Sequence, residues 1–317
     1  MYANTSLRQR VVTSYTVLIV ALGLTVGLWQ LPYWVQPDSY YTLGAVLVAA
    51  YAMLYLVNRY GLIRVRSRLT TTAMLVLLTL VSDTTHFTAH AFLPLLLILV
   101  YASLLSAGKD GRSEVAVFHA FMWLGLLVLM APLAAVLIPA VYVSLVVSFR
   151  SLSVRAFSAS LIGLLVPVLV VVAAVTWWPV WGVAYWRVVW LPLLGLPWLD
   201  YSGVDVSHVA IYTCVLLTTL PAMLHAVMDT AEHKPQVRAA FVTFVIVQIV
   251  LLGAAAVLPS ASAVWWPLLA VNSSPLLAHH LVLSRHPLTD LWFYIVVLIV
   301  AAAFFFDRVW TSLWAFL

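Results

Sequence analysis

Charged residues are scarce in this sequence. Asp, Glu, Lys and Arg make up 8% of the 317 residues, against roughly 25% in a typical soluble domain, whereas 65% are hydrophobic. This composition excludes a water-soluble fold and a disordered chain. Cys214 is the only cysteine, which excludes a disulfide scaffold. No polar stretch is long enough for a separate soluble domain, so a nucleic-acid partner is not expected.

Short catalytic motifs are also absent. The chain contains no Walker A loop, no Gly-x-Ser-x-Gly, no His-Glu-x-x-His and no Cys-x-x-Cys-His. It also lacks the row of carboxylates within apolar runs that ion-coupled transporters and proton pumps usually hold. These absences argue against the commonest nucleotide-dependent, hydrolytic and proton-coupled membrane proteins.

Apolar runs fill the whole chain. A helix needs about 20 apolar residues to cross the hydrocarbon core, and cutting the chain at charges, prolines and Trp/Tyr clusters yields about eleven such segments, with ten or twelve as alternatives. The third to sixth are short, which leaves tilted, broken or re-entrant helices open. The sequence therefore predicts one integral membrane domain over residues 1–317, an all-α polytopic bundle. The segments are 12–31, 43–63, 69–83, 91–107, 115–131, 133–149, 156–177, 208–228, 239–257, 265–284 and 288–306.

The basic residues predict the orientation of this bundle. With eleven spans and a cytoplasmic N-terminus, thirteen of the 15 Lys and Arg residues fall in cytoplasmic connections, and only Arg187 and Arg308 fall outside. Cytoplasmic loops of membrane proteins carry just such an excess of positive charge. We therefore expect a multi-pass membrane protein with its N-terminus in the cytoplasm and its C-terminus outside.

The longest outer connection, residues 177–207, is rich in tryptophan. It carries six of the 14 tryptophans, among them Trp181, Trp186 and Trp190, together with Arg187. Aromatic rings at this density are typical of a segment that lies in the headgroup region. One interpretation is an interfacial anchor. The other is a platform over a lipid, in which the Trp side chains pack against an isoprenoid tail or a sugar and Arg187 binds a phosphate.

Two outer loops carry acidic residues. Asp38 lies in the first, and Asp83 opens the second, where His86 and His90 follow at a spacing that would place them on one helical face. Carboxylate and imidazole ligands suit one divalent ion such as Zn, Mn or Fe. Asp83 as a helix cap, with the two histidines facing interfacial water, is the alternative.

Several polar residues interrupt the apolar segments. They include His119, His225, Gln248 and the run 272–280, in which Pro275 removes a helical N–H. Polar groups at this depth are costly and are often functional. The tenth segment is either a broken helix that lines a cavity or a kinked one satisfied by its neighbours. His279 and His280 lie about one turn from Arg285, so we expect them to reach cytoplasmic water, and the sequence requires no two histidines to meet.

Four stretches carry a family resemblance. They resemble a family of uncharacterised polytopic inner-membrane proteins of Bacteroidota. The stretches are NRYGLIRVRSRLTTTAMLVLLTLVS at 58–82, HAFLPLLLILVYASLLSA at 90–107, FHAFMWLGLLVLMAPLAAVLIPAVYVSLVVSFRSLSVRAFSASLIGLLVPVL at 118–169 and NSSPLLAHHLVLSRHPLTDLWF at 272–293. The family supplies no established activity.

More remotely, the rhythm of these blocks is similar to the GT-C superfamily of glycosyltransferases, which use polyprenyl-linked sugar donors on the outer face of the membrane. The resemblance implies that Asp38 in the first outer loop is a base or metal ligand, that Asp83 is a second acidic site residue, and that the substrate is a polyprenyl-linked glycan or related lipid. Whether the chain is an enzyme stays open. The rival hypothesis is a non-catalytic scaffold subunit of a larger envelope membrane complex, which is consistent with the short loops and extensive apolar surface.

Overall fold

The computed structural model describes residues 7–30, 38–65, 67–80, 89–107, 113–202, 204, 206–228, 234–284 and 288–305. Within these ranges the regular secondary structure is entirely helical, the helices are joined by short turns, and there is no strand. In a bilayer only helices and closed barrels satisfy all their backbone hydrogen bonds, and this sequence uses helices. The predicted all-α class is confirmed.

The α-helices follow the apolar segments closely. Each of the eleven predicted segments overlaps a helix, and six helical stretches are long and apolar enough to cross a membrane. The helices are α1 (Leu7–Thr13), α2 (Thr16–Gln30), α3 (Asp38–Tyr60), α4 (Leu69–Thr79), α5 (Leu93–Ser106), α6 (Ser113–Met130), α7 (Leu137–Ser144), α8 (Val154–Trp177), α9 (Pro179–Tyr185), α10 (Val206–Met228), α11 (Pro235–Val257), α12 (Ser262–Leu283) and α13 (Leu288–Phe305). Single turns of 3-10 or π helix flank α5, α7 and α12.

Helix α12 is the centre of the bundle. It packs against α4, α5, α10 and α11, and 17 of its 22 residues are buried. The helix continues through both Pro267 and Pro275, so the broken-helix alternative for this segment is wrong. Neighbouring helices surround the polar residues of α12, which supplies hydrogen-bond partners that lipid lacks.

Helix α8 lies at the periphery. Only four of its 24 residues are buried, and they form one stripe that packs on α6. Gly163 lets the two helices approach closely, since a Cβ at this position would lie 2.5 Å from the carbonyl oxygen of Phe118. Small residues at such an interface are typical of helix pairs in membranes.

Hydrogen bonds between helix ends fall into two groups, one at each end of the bundle. We call the end that contains Arg8 the Arg8 end, and the end that contains the Trp-rich segment, residues 177–207, the Trp-rich end. Helices α4, α11 and α12 each have one terminus in each group, so each runs from one end of the bundle to the other. At the Arg8 end, side chains donate to backbone carbonyls in four pairs: Arg8 to Ser284, Ser67 to Val12, Tyr60 to Ala102 and Gln236 to Leu105. At the Trp-rich end there are three such pairs: the Trp266 side chain donates to the carbonyl of Leu77, the Tyr185 hydroxyl to that of Leu129, and the backbone N–H of Leu199 to that of Val257.

Candidate functional site

The Trp-rich segment folds into consecutive helical turns. Helix α9 is followed by a π-helical turn, Trp186–Trp190, and a 3-10 turn, Leu191–Gly195. A Cβ at Gly182 would meet the side chain of Val175, so α9 folds back closely against the end of α8. The sequence predicts where this segment lies but not that it is helical.

Both ends of the segment are fastened to the bundle. The Tyr185 hydroxyl donates to the carbonyl oxygen of Leu129 near the end of α6, at 2.6 Å. Further on, the N–H of Leu199 donates to the carbonyl of Val257 at 2.9 Å, and the Tyr201 hydroxyl donates to the carbonyl of Ala256. These carbonyls belong to the last turns of helices and have no partner within the helix. The segment therefore bridges the ends of α6 and α11.

The turn at 198–202 is held in a strained conformation. Leu199 has a φ of 56°, in the left-handed region that costs a non-glycine residue roughly 1 kcal/mol. The Asp200 carboxylate accepts hydrogen bonds from the Ser202 hydroxyl at 2.6 Å and from the Ser202 N–H at 2.9 Å. These bonds lower the pKa of the Asp200 carboxyl, against a small opposing effect of burial. Asp200 therefore stabilises the turn through both hydrogen bonds.

Arg187 is the exposed cation of this surface. It lies between Trp186 and Trp190, whose rings stack with centroids 6.1 Å apart and an angle of 12°. A π-helical turn has more than four residues per turn and so brings residues four apart in sequence nearly above each other. Trp186 is exposed and Trp190 is half-buried, so the stacked pair and Arg187 belong to the same exposed helical turn. This arrangement can bind an anion that carries an apolar or sugar group.

Only part of the predicted acidic site is visible. Asp38 is the first residue of α3, but its side chain, like that of Trp181, lies outside the described residues. Asp83 and His86 also lie outside them. His90 is half-buried in the turn before α5. Within the described ranges, no group of three His, Cys, Asp or Glu residues is placed to hold a metal ion, and the Asp83, His86 and His90 metal hypothesis stays a prediction.

A second polar region lies inside the bundle. The Tyr101 hydroxyl donates to Oδ1 of Asn272 at 2.5 Å, and Nδ2 of Asn272 donates to Oε1 of Gln248 at 2.7 Å and to the carbonyl of Phe244 at 2.9 Å. Nε2 of Gln248 donates to the Ser273 hydroxyl at 3.0 Å. Asn272, Gln248 and Ser273 are fully buried. This polar network ties α5, α11 and α12 together, and no sequence pattern indicates that Tyr101 belongs to it.

Three histidines gather near the Arg8 end. Nδ1 of His225 lies 3.4 Å from Nδ1 of His279, and the His225 ring centroid lies 4.9 Å from that of His280. One Nδ1 must donate and the other accept, so the two histidines hold different tautomers. His279 is fully buried, so the expectation that it reaches water is wrong. This contact joins α10 to α12, whereas His119 lies apart on the exposed side of α6.

Comparison with other proteins adds no relative. No known family model matches the chain, and no curated protein or solved structure is significantly similar to it. The functional argument therefore depends on the geometry of this chain.

Proposed function

We propose that this chain is a multi-pass inner-membrane protein that handles a polyprenyl-linked glycan or a related phosphate-bearing lipid at the outer face of the membrane. The observation that carries the proposal is the exposed Arg187 in the same helical turn as the stacked Trp186 and Trp190, within a segment that is hydrogen-bonded to α6 and α11. The guanidinium fork suits phosphate, and flat aromatic rings suit isoprenoid or sugar. Its role is glycosyl transfer or an accessory step in it.

The hydrogen bonds between helix ends support the proposed topology of about eleven crossings. If the chain crosses the membrane eleven times from a cytoplasmic N-terminus, the two partners of every hydrogen bond in these groups lie on the same side of the membrane. The Arg8 end then faces the cytoplasm, together with the basic connections, and the Trp-rich end faces outward. Asp38 begins α3 on the outer side, where it would serve as base or metal ligand together with Asp83.

Lipid binding tests the role of Arg187. Full-length protein in phosphatidylcholine nanodiscs with polyprenyl phosphate is compared with the same protein in discs with uncharged polyprenol. We expect Arg187→Gln to weaken retention of the phosphate lipid about tenfold or more, since a hydrogen bond to a charged group contributes about 1.5–3 kcal/mol. Arg187→Lys keeps the charge but loses the fork, so its loss is smaller.

The matched control is Arg155→Gln, since Arg155 is also exposed but lies at the opposite end of α8. It should leave binding unchanged, and none of the variants should lower the amount of folded protein. If Arg187→Gln retained polyprenyl phosphate as well as the wild type does, the platform interpretation would be wrong and the segment would be an interfacial anchor.

A scaffold subunit of a larger membrane complex is the second candidate, and one feature of α8 favours it. From residue 168 to residue 177, eight of ten side chains are exposed. A helix so exposed over nearly three turns has room for a partner chain. Native mass measurement after mild extraction separates the candidates, because a lone monomer with bound lipid supports the first and a stable hetero-complex supports the second.

A further inference from the structure

A concave pocket lies at the end of α3, on the far side of the bundle from the Trp-rich segment. Its volume is about 410 Å³, within the usual range for a ligand site. Gly61 has a φ of 59°, which turns the chain sharply after α3, and the irregular stretch 63–65 that follows lines the pocket. The lining residues are Tyr15, Val57, Asn58, Gly61, Ile63, Arg64, Val65, Ser67 and Arg68.

The side chains of this pocket suit an anion. Arg64 and Arg68 supply two guanidinium groups, and Asn58 adds an amide donor. The guanidinium carbon of Arg68 lies 5.0 Å from the centre of the Tyr15 ring, a cation–π contact that fixes its position. No Asp or Glu occurs in the sequence between Asp38 and Asp83, so this stretch carries no carboxylate that would neutralise the arginines.

A second recess lies along the exposed side of α3. It measures about 370 Å³ and is lined by Tyr51, Leu54, Tyr55, Asn58 and Arg59. Asn58 lines both cavities, so the recess adjoins the pocket. Tyr51 and Tyr55 are 71% and 59% exposed and lie one turn apart, so they form an apolar track with polar tips. A cationic pocket next to a largely apolar surface suits a lipid, which has a polar headgroup and apolar acyl chains.

We propose that this pocket binds the phosphate of an anionic phospholipid, with Arg64, Arg68 and Asn58 around the headgroup and the acyl chains along Tyr51 and Tyr55. Basic pockets beside transmembrane helices bind such headgroups in other proteins. The assignment to the cytoplasmic leaflet depends on the proposed topology, whereas the binding itself does not. The site is separate from Arg187, so either proposal can fail without the other.

The test measures lipid retained by purified full-length protein. Nanodiscs of phosphatidylcholine with one fifth phosphatidylglycerol are dissolved in detergent, and native mass spectrometry counts the phosphatidylglycerol molecules that stay bound. We expect the wild type to hold phosphatidylglycerol about tenfold more than phosphatidylcholine. Arg64→Gln with Arg68→Gln should abolish this preference.

Asn58→Trp is the sharper variant, because it fills the pocket and keeps every positive charge. Asn58 is exposed, so the change does not disturb the core. We expect it to remove the preference too, whereas Arg155→Gln, which removes an exposed charge elsewhere, should not. Retained preference in Asn58→Trp, or an equal loss in Arg155→Gln, would show general attraction to positive charge and overturn the proposal. Displacement of phosphatidylglycerol by millimolar inorganic phosphate would show that free phosphate is the ligand and would overturn the lipid assignment.

Discussion

Helices α8 and α12 differ sharply in burial. Helix α8 has the highest mean hydropathy of the six long apolar stretches, yet only four of its 24 residues are buried. Helix α12 contains Asn272, Ser273, Ser274, His279 and His280, is not among those six, and is almost entirely buried. In a soluble protein the more apolar helix would be buried and the more polar helix would face water.

The reversal follows from the solvent. Lipid tails are as apolar as leucine, so an apolar helix gains little by leaving them, whereas a polar side chain in lipid has no hydrogen-bond partner. A helix that carries polar groups in its middle therefore needs protein around it. Polar residues within the apolar segments thus indicate which helix is central.

The largest effect is expected from Asn272→Leu. The change leaves the Tyr101 hydroxyl, the Gln248 amide oxygen and the Phe244 carbonyl with one partner fewer in a buried site. Each unsatisfied group costs about 1–3 kcal/mol, and we expect a loss of about 4 kcal/mol in the free energy of unfolding. Titration with denaturing detergent in mixed micelles measures it.

Ser274→Ala is the control for that change. Ser274 is equally buried on α12, but its hydroxyl donates to the Val271 carbonyl within the same helix. We expect a loss of less than about 1 kcal/mol. If the two variants were equally stable, the network would not hold α12 in place.

A matched pair of leucines tests the contrast in burial. Leu269 in α12 is fully buried and Leu165 in α8 is 51% exposed. Leu269→Ala should cost about 2–3 kcal/mol because packing contacts are lost and a cavity remains, whereas Leu165→Ala should cost about 0.5 kcal/mol or less because lipid fills the space. A larger loss at Leu165 would reveal that a partner chain covers α8.

Two glycines test the close contact between α8 and α6. Gly163→Ala places a methyl group 2.5 Å from the Phe118 carbonyl oxygen, so α6 and α8 must move apart at a cost of about 2 kcal/mol. Gly253→Ala in α11 is the control, since nothing lies within 4 Å of its added Cβ. The control should be neutral or slightly stabilising because Ala favours helix. Equal stabilities would indicate that α6 and α8 are not in contact.

The sequence predicted the helices better than their contacts. Runs of apolar residues and the charges between them locate α8 and α12 almost to the residue, because crossing a bilayer requires a minimum length. The meetings of Tyr101 with Asn272 and of His225 with His279 could not be predicted, since helices that are apolar on all sides carry no amphipathic stripe to show which face is inward. The role of Arg187 as a phosphate ligand was inferred from composition alone and stays a prediction, and the helical geometry of its segment was not predicted.

Thiol labelling across the membrane tests the central claim that the Trp-rich segment and the start of α8 lie on opposite sides. Cys214, the only native cysteine, is buried and should give little background. Ser202 and Val154 are both exposed, so cysteine substituted at either position can react. In intact spheroplasts an impermeant thiol reagent should label Ser202→Cys at once and Val154→Cys only after permeabilisation. Labelling of Val154→Cys in intact spheroplasts, or protection of Ser202→Cys, would contradict the topology and with it an outer-face site at Arg187.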